Sequence, residues 1–326
     1  MKKIKTLSIL LAITGLVLAT LLVGWFGAGK VAAAVLSIGI AGFGVFCGWQ
    51  ICVMLVLGFT WWTIVPDAKT GSIGVFIRGR MVRDSAASCL PFSPAGGFIL
   101  GARAVTLYGV SPTVATLSTI ADLTTEFASE IVFAAFGLIV LLQRSSDRAI
   151  VLPAEIGLAI ACVVGLAVLR LQKGIAPWFM SMGRRILKTL ASTGQPGGEV
   201  SDRQLAATYG DTRRLAVGTA LHLLGWFGKG IGNYLAFQLL GADIDLAGAL
   251  AIEGLLHVML AAVVLVPGYA GVQEAGYAGL GALFGVPADI SLAVSLVRRA
   301  RDIAIGIPVL LVWQFVEARR RISAAP

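Results

Sequence analysis

Ionisable residues set inside apolar stretches are the first feature of this sequence with chemical consequence. Asp122, Glu126 and Glu130 recur every four residues within Thr113–Leu142, which places them on one face of a helix. Arg298, Arg299 and Arg301 open the last long apolar stretch, Ile290–Val316. Carboxylates can act as bases or close ion pairs, and guanidinium forks suit phosphate oxygens through paired hydrogen bonds. A charge at mid-bilayer costs at least about 2.5 kcal/mol on insertion scales, so such groups pair with one another or serve a substrate. The acids are therefore expected to meet Arg298, Arg299 and Arg301, or Arg103. Interfacial anchoring by snorkelling is the plainer role for the arginines.

A second constellation is Glu253 and His257, again four residues apart. Two ligands at that spacing could hold a metal, but no third His or Cys lies nearby, and with two His in the chain a His-rich metal site is excluded. A proton-responsive or hydrogen-bonded pair fits better, because His titrates near neutral pH. Lys229, within Gly228-Lys229-Gly230, is a further in-membrane polar group of open role. His222 reads as packing or as helix-end snorkelling. Glu126 to Glu130 also has the Glu-x-x-x-Glu spacing of membrane polyprenyl-pyrophosphate phosphatases, a short motif that recurs by chance. There is no Ser/His nucleophile pair, no dense Asp cluster for two metals and no Walker Gly-x-x-x-x-Gly-Lys-Ser/Thr. No catalytic residue, metal or cofactor is assigned.

The elements that must position these groups follow from composition. Of 326 residues, 57% are hydrophobic and 13% charged, against roughly 25% charged in a soluble domain. The 40 glycines sit inside apolar runs, where membrane helices use them for close packing. The chain is an integral membrane protein. The excess of 26 Lys+Arg over 17 Asp+Glu points to positive-inside sorting and an anionic leaflet rather than to nucleic acid. Cys47, Cys52, Cys89 and Cys162 lie in or beside apolar runs and read as small apolar residues.

A span of about 20 apolar residues crosses the hydrocarbon. Such spans are Leu7–Phe26, Gly42–Val65, Thr113–Leu142, Val151–Leu171, Leu215–Leu240, Leu246–Val266 and Ile290–Val316, with Val31–Ala41 a shorter helix leading into the second. The first is longer than a signal-peptide core and reads as a retained helix, with Lys2, Lys3 and Lys5 holding the N-terminus in the cytoplasm. Lys69, Arg78, Arg80 and Arg83, and the basic segment 172–214, then fall on the same side. Seven spans leave Arg319-Arg320-Arg321 outside; an eighth crossing by Tyr269–Gly285 brings them in, and eight is favoured. The expected fold is all-α, one polytopic membrane bundle of seven to eight spans over residues 1–326 in the cell inner membrane.

Two segments, 90–142 and 266–316, repeat one pattern at an offset of 176 residues. Each begins with a proline (Pro91, Pro267), ends in Leu-aromatic-Gly-Val (107–110, 283–286), and is followed by another proline, Pro112 or Pro287, opening a long apolar helix. Paired Gly/Pro-interrupted segments in corresponding halves mark the substrate site of a transporter built from repeats. Broken backbone at membrane depth is tolerated only where it is buried in protein or lines a cavity. The two segments are expected to face each other across one cavity.

Pro267-Gly268-Tyr269-Ala270-Gly271-Val272-Gln273-Glu274 resembles the Pro-Gly-Gly-Leu-Gly-Val-Arg-Glu signature of the lysylphosphatidylglycerol synthase transmembrane (flippase-like) superfamily. Leu90-Pro91, Gly96-Gly97 and Arg103 resemble its first motif, with matching spacing to Asp122 and Glu126. The likeness covers nearly the whole chain and is closest to the hopanoid-biosynthesis-associated branch. Tyr269 replaces a Gly, Gln273 replaces the Arg, and the first motif lacks the acidic residue that many members carry beside its Gly. The aminoacyltransferase domain of the fused members is absent from this sequence, so that reaction is not implied.

The resemblance implies a transporter or flippase moving an amphipathic lipid, hopanoid or phospholipid related, with the head group at Arg103, Glu126, Glu130, Gly271, Glu274, Arg298, Arg299 and Arg301. Pro91, Gly96, Gly97, Pro267 and Gly268 would shape the site, and Glu253 and His257 would couple protons. Partners would be a membrane lipid and lipid-biosynthesis enzymes. A membrane enzyme acting on a lipid phosphate or polyprenyl phosphate, and a non-catalytic partner of such enzymes, stand as alternatives.

Overall fold

The computed structural model describes residues 28–65, 71–90, 93–144, 208–262 and 271–323, with Tyr269 and scattered positions between 152 and 163. The expected span Leu7–Phe26, most of Val151–Leu171 and most of the basic segment 172–214 lie outside the described residues. The chain forms α1 (Ala28–Ile64), α2 (Ile73–Cys89), α3 (Ser93–Thr106), α4 (Pro112–Arg144), α5 (Thr212–Leu239), α6 (Leu246–Ala262), α7 (Val272–Leu283) and α8 (Ala288–Ser323). Regular structure among the described residues is helical throughout. A short lead-in helix joins the main part of α1 across Gly39, at φ 71°, a backbone state that costs glycine little.

Polarity is distributed as a membrane requires. Large apolar side chains such as Ile40 on α1, Val132 on α4, Leu224 on α5 and Val312 on α8 stay exposed, while Arg80, Asp122, His222 and Glu253 are buried. Such an apolar perimeter suits lipid contact, and charges belong inside the bundle. Within α1 and α4, the stretches Leu36–Ile64 and Pro112–Arg144 are long and apolar enough to cross a membrane on that measure alone. Helices α5 and α8 have the length, at 28 and 36 residues, but carry the internal charges that lower their apolar character.

The 176-residue repeat is visible as architecture. Helices α2, α3 and α4 form one unit; α6, α7 and α8 form the other. In each, a short helix ends at a glycine with positive φ, Gly109 at 91° and Gly285 at 77°, and a long helix follows at Pro112 or just after Pro287. Within the first unit, α2 and α3 pack with their backbones nearly touching, since a Cβ on Gly97 would fall 2.6 Å from the Arg83 carbonyl oxygen. Helix α7, with 12 residues, rises only about 18 Å, short of the roughly 30 Å hydrocarbon. By length, Tyr269–Gly285 fits an arm that turns back rather than the added crossing of the eight-span count.

Two apolar cores sit under these units. Phe46 of α1, Phe237 of α5, Ile252 and Leu256 of α6, Tyr277 of α7 and Val294 of α8 form the larger. Trp61 of α1, Phe76 of α2, Val105 of α3 and Ala115 of α4 form the second. Trp61 Nε1 also donates to Ser118 Oγ at 3.2 Å, which satisfies its one donor inside that core.

Candidate functional site

Arg80 and Arg83 stand about one turn apart on α2 and meet Asp122 and Glu126, one turn apart on α4. Arg80 Nη2 donates to Glu126 Oε1 at 2.7 Å, its Nη1 reaches Asp122 Oδ2 at 3.4 Å, and its Nε donates to Asp84 Oδ2 at 3.0 Å. Arg83 closes the square with hydrogen bonds to both Asp122 and Glu126. His222 of α5 sits 3.0 Å from Asp122 Oδ1 through Nε2; an ionised carboxylate only accepts, so Nε2 carries the hydrogen. Buried charge of one sign is matched by the other, as a low-dielectric interior demands.

This geometry corrects three expectations. The acids of α4 pair with Arg80 and Arg83, not with Arg298, Arg299, Arg301 or Arg103. Arg80 and Arg83 do not lie in a cytoplasmic connection with Lys69 and Arg78; both are buried within α2. His222 neither snorkels nor merely packs, because it bonds to a buried acid. Arg103 bonds Glu317 at 2.8 Å and is absent from the cavity wall described below.

The second unit reverses the arrangement. Glu253 of α6 accepts from Arg298 Nη1 at 2.5 Å, and the same nitrogen donates to the Tyr277 hydroxyl at 2.8 Å. Tyr277 passes its own hydrogen to Asn233 Oδ1 at 3.0 Å. His257 turns back along its helix, Nδ1 lying 3.0 Å from the Glu253 carbonyl and 3.4 Å from its carboxylate. Glu274 serves two tasks: Oε2 accepts from the Gly271 N–H at 2.8 Å, and Oε1 accepts from Arg299 Nε at 2.6 Å. Gly271, at φ 80°, starts α7, so the Gly-x-x-Glu of the signature works as a helix N-cap. Arg299 Nη2 also reaches the Tyr269 carbonyl at 3.4 Å and thereby pins the turn before α7.

Between the units lies a cavity of about 530 Å³. Arg80, Arg83 and Glu126 form one wall; Glu253, His257 and Arg298 to Arg301 without Ala300 form the other, and Phe98 of α3 with Tyr269 and Gln273 brings both repeat segments to its edge. Phe127, exposed on the outside of α4, and Phe98, stacked 4.2 Å from the Arg83 guanidinium, supply apolar surface. Gly96 and Gly97 lie on α3 beside this wall, Gly97 against Arg83. Pro91, Pro267 and Gly268 lie outside the described residues.

Two charges in the cavity stand apart from the rest. Glu130 on α4 and Lys229 on α5 line it, and no ion pair joins either to another described residue. Lys229 Nζ rests 3.8 Å above the Trp226 ring, a cation–π contact that leaves its charge unneutralised. Trp226 packs edge-on against His257 at 4.6 Å. Sequence reasoning placed Glu130 here but left Lys229 open and missed Tyr277, Asn233, Arg80 and Arg83. The Arg80-x-x-Arg83-Asp84 spacing, complementary to Asp122 and Glu126, was the available signal. No group of three or more His, Cys, Asp or Glu suited to a metal occurs among the described residues.

Away from the cavity, Arg144 at the end of α4 bonds Asp245 in the α5–α6 connection. That hydrogen bond holds the Asp245 carboxyl below the usual aspartate range and raises Arg144. Against known proteins, the family model described as Lysylphosphatidylglycerol synthase TM region matches residues 12–309. No curated protein and no solved structure matches the chain.

Proposed function

This chain belongs to the lysylphosphatidylglycerol synthase TM region family, and from that premise we propose that it receives the polar head group of an amphipathic lipid in the cavity between its units and moves that lipid across the inner membrane. The observation that carries this reading is the pair Glu130 and Lys229. Every other acid and arginine on the cavity wall is neutralised by a fixed partner, which leaves these two to a ligand. An unpaired charge at membrane depth is expensive. A head group offering an anionic oxygen to Lys229 and a hydrogen-bond donor to Glu130 relieves both costs at once.

The fixed ion pairs have a different task in this account. They hold α2 against α4 and α6 against α8, giving a polar lining that is preorganised and therefore need not rearrange when a head group enters. The exposed Phe127 side of the cavity lets an acyl or polycyclic tail remain in lipid. Hopanoid-related lipids and phospholipids both fit this division, and no ATP-binding loop is needed for passage down a lipid gradient.

Purified protein in liposomes tests the proposal. A head-group-labelled lipid should appear unchanged in the opposite leaflet at a rate proportional to protein content. Phosphate released from the lipid, without transfer, would instead indicate an enzyme.

A further inference from the structure

A second set of cations lies far from the cavity, where several helix ends converge. Helix α1 ends at Ile64, α2 begins at Ile73, the α3–α4 turn passes through Gly109, and α8 runs out at Ser323. Tyr108, in that turn, carries the Arg78 guanidinium of α2 and the Arg320 guanidinium of α8, each 5.0 Å from the centre of its ring. Both arginines are exposed, and neither forms an ion pair with another described residue. The two like charges therefore lie at most about 10 Å apart across one ring, an arrangement that self-repels unless an anion joins them.

The surroundings indicate which anion. Three to five residues earlier on the same two helices, Arg103 bonds Glu317, yet its Nη1 is buried without a hydrogen-bond partner. Trp62, which donates to the Gly71 carbonyl at 3.2 Å, packs with Tyr108 in the adjacent apolar cluster. Trp and Tyr at helix ends mark the membrane–water boundary, where lipid phosphates reside. Guanidinium groups bind phosphate oxygens in pairs, and basic side chains at this depth attract anionic lipids.

We infer that Arg78, Tyr108 and Arg320 form an interfacial site for the phosphate of an anionic lipid head group, separate from the cavity. One lipid bound there would bridge α2 to the end of α8 and so tie the two repeat units together at one membrane edge.

Native mass spectrometry of the full chain tests this, with phosphatidylglycerol, phosphatidylcholine or inorganic phosphate added at matched concentration. The wild type should retain one phosphatidylglycerol more than the Arg78→Gln/Arg320→Gln variant, whose occupancy at that site should fall on the order of tenfold. The charge-preserving Arg78→Lys/Arg320→Lys variant should keep most of the binding, which separates loss of charge from loss of fold. Equal retention of phosphatidylglycerol by the Gln variant would overturn the assignment. Equal retention of phosphatidylcholine, or binding of inorganic phosphate in place of lipid, would overturn it as well.

Discussion

The two repeat units share a plan and differ in electrical sense. In α2–α4 the first helix supplies guanidiniums, Arg80 and Arg83, and the long helix supplies carboxylates, Asp122 and Glu126. In α6–α8 the first helix supplies the carboxylate, Glu253, and the long helix supplies Arg298. Asp122 and Arg298 stand at corresponding positions, 176 residues apart. Both histidines of the described chain attend these pairs, His222 on Asp122 and His257 beside Glu253. What the units preserve is closure of a charge pair between first and long helix, and the sign on each side is free. A low dielectric penalises an unmatched charge whatever its sign.

The largest effect should come from opening the first square. Arg83→Ala leaves Asp122, which is fully buried, short of a cation, and removing one partner of such a pair costs about 3–5 kcal/mol. Detergent-solubilised Arg83→Ala protein should unfold at markedly lower temperature than wild type. Next comes the sense of the second pair. Arg298→Glu should lower stability by a similar amount, whereas Glu253→Arg combined with Arg298→Glu should recover at least about half of the loss. A double variant no better than the single one would mean that Tyr277 and Asn233 fix the sign, and the comparison would fail there.

A smaller effect tests the shared turn. Gly109→Ala and Gly285→Ala each force a side chain into positive φ, where nothing within 4 Å would meet the new Cβ. The cost is backbone strain alone, about 1–2 kcal/mol, and equal in the two units. The smallest concerns Asp245. Its carboxyl is held below its usual value by Arg144, so the contribution is complete above the unfolded value and is lost as pH falls through the folded one. Asp245 is largely exposed, and such pairs are worth under about 1 kcal/mol. Wild type and Asp245→Asn should differ slightly at neutral pH and converge below about pH 3.

The fold was largely legible because long apolar runs and Pro/Gly punctuation survive in the sequence as local signals. Pro112 does open α4, the aromatic-Gly-Val motifs do mark equivalent turns, and Val31–Ala41 does lead into a span. The charge pairing was not legible. Arg80 and Arg83 sit in a helix polar enough to read as a connection, and their partners lie about 40 residues away. Charge counting assigns side by number and sees no partner. Glu274 was read as a cavity group because its cap on Gly271 and its bond to Arg299 appear only when α7 and α8 meet.

The central claim is that fixed pairs build the cavity while Glu130 and Lys229 serve the lipid. Transbilayer movement of a head-group-labelled phospholipid, followed in proteoliposomes containing Glu130→Gln, Lys229→Gln or wild-type protein, tests it most directly. The account predicts that both variants keep the wild-type unfolding temperature within a few degrees and lose transfer by on the order of tenfold or more. Wild-type transfer rates in both variants would contradict it.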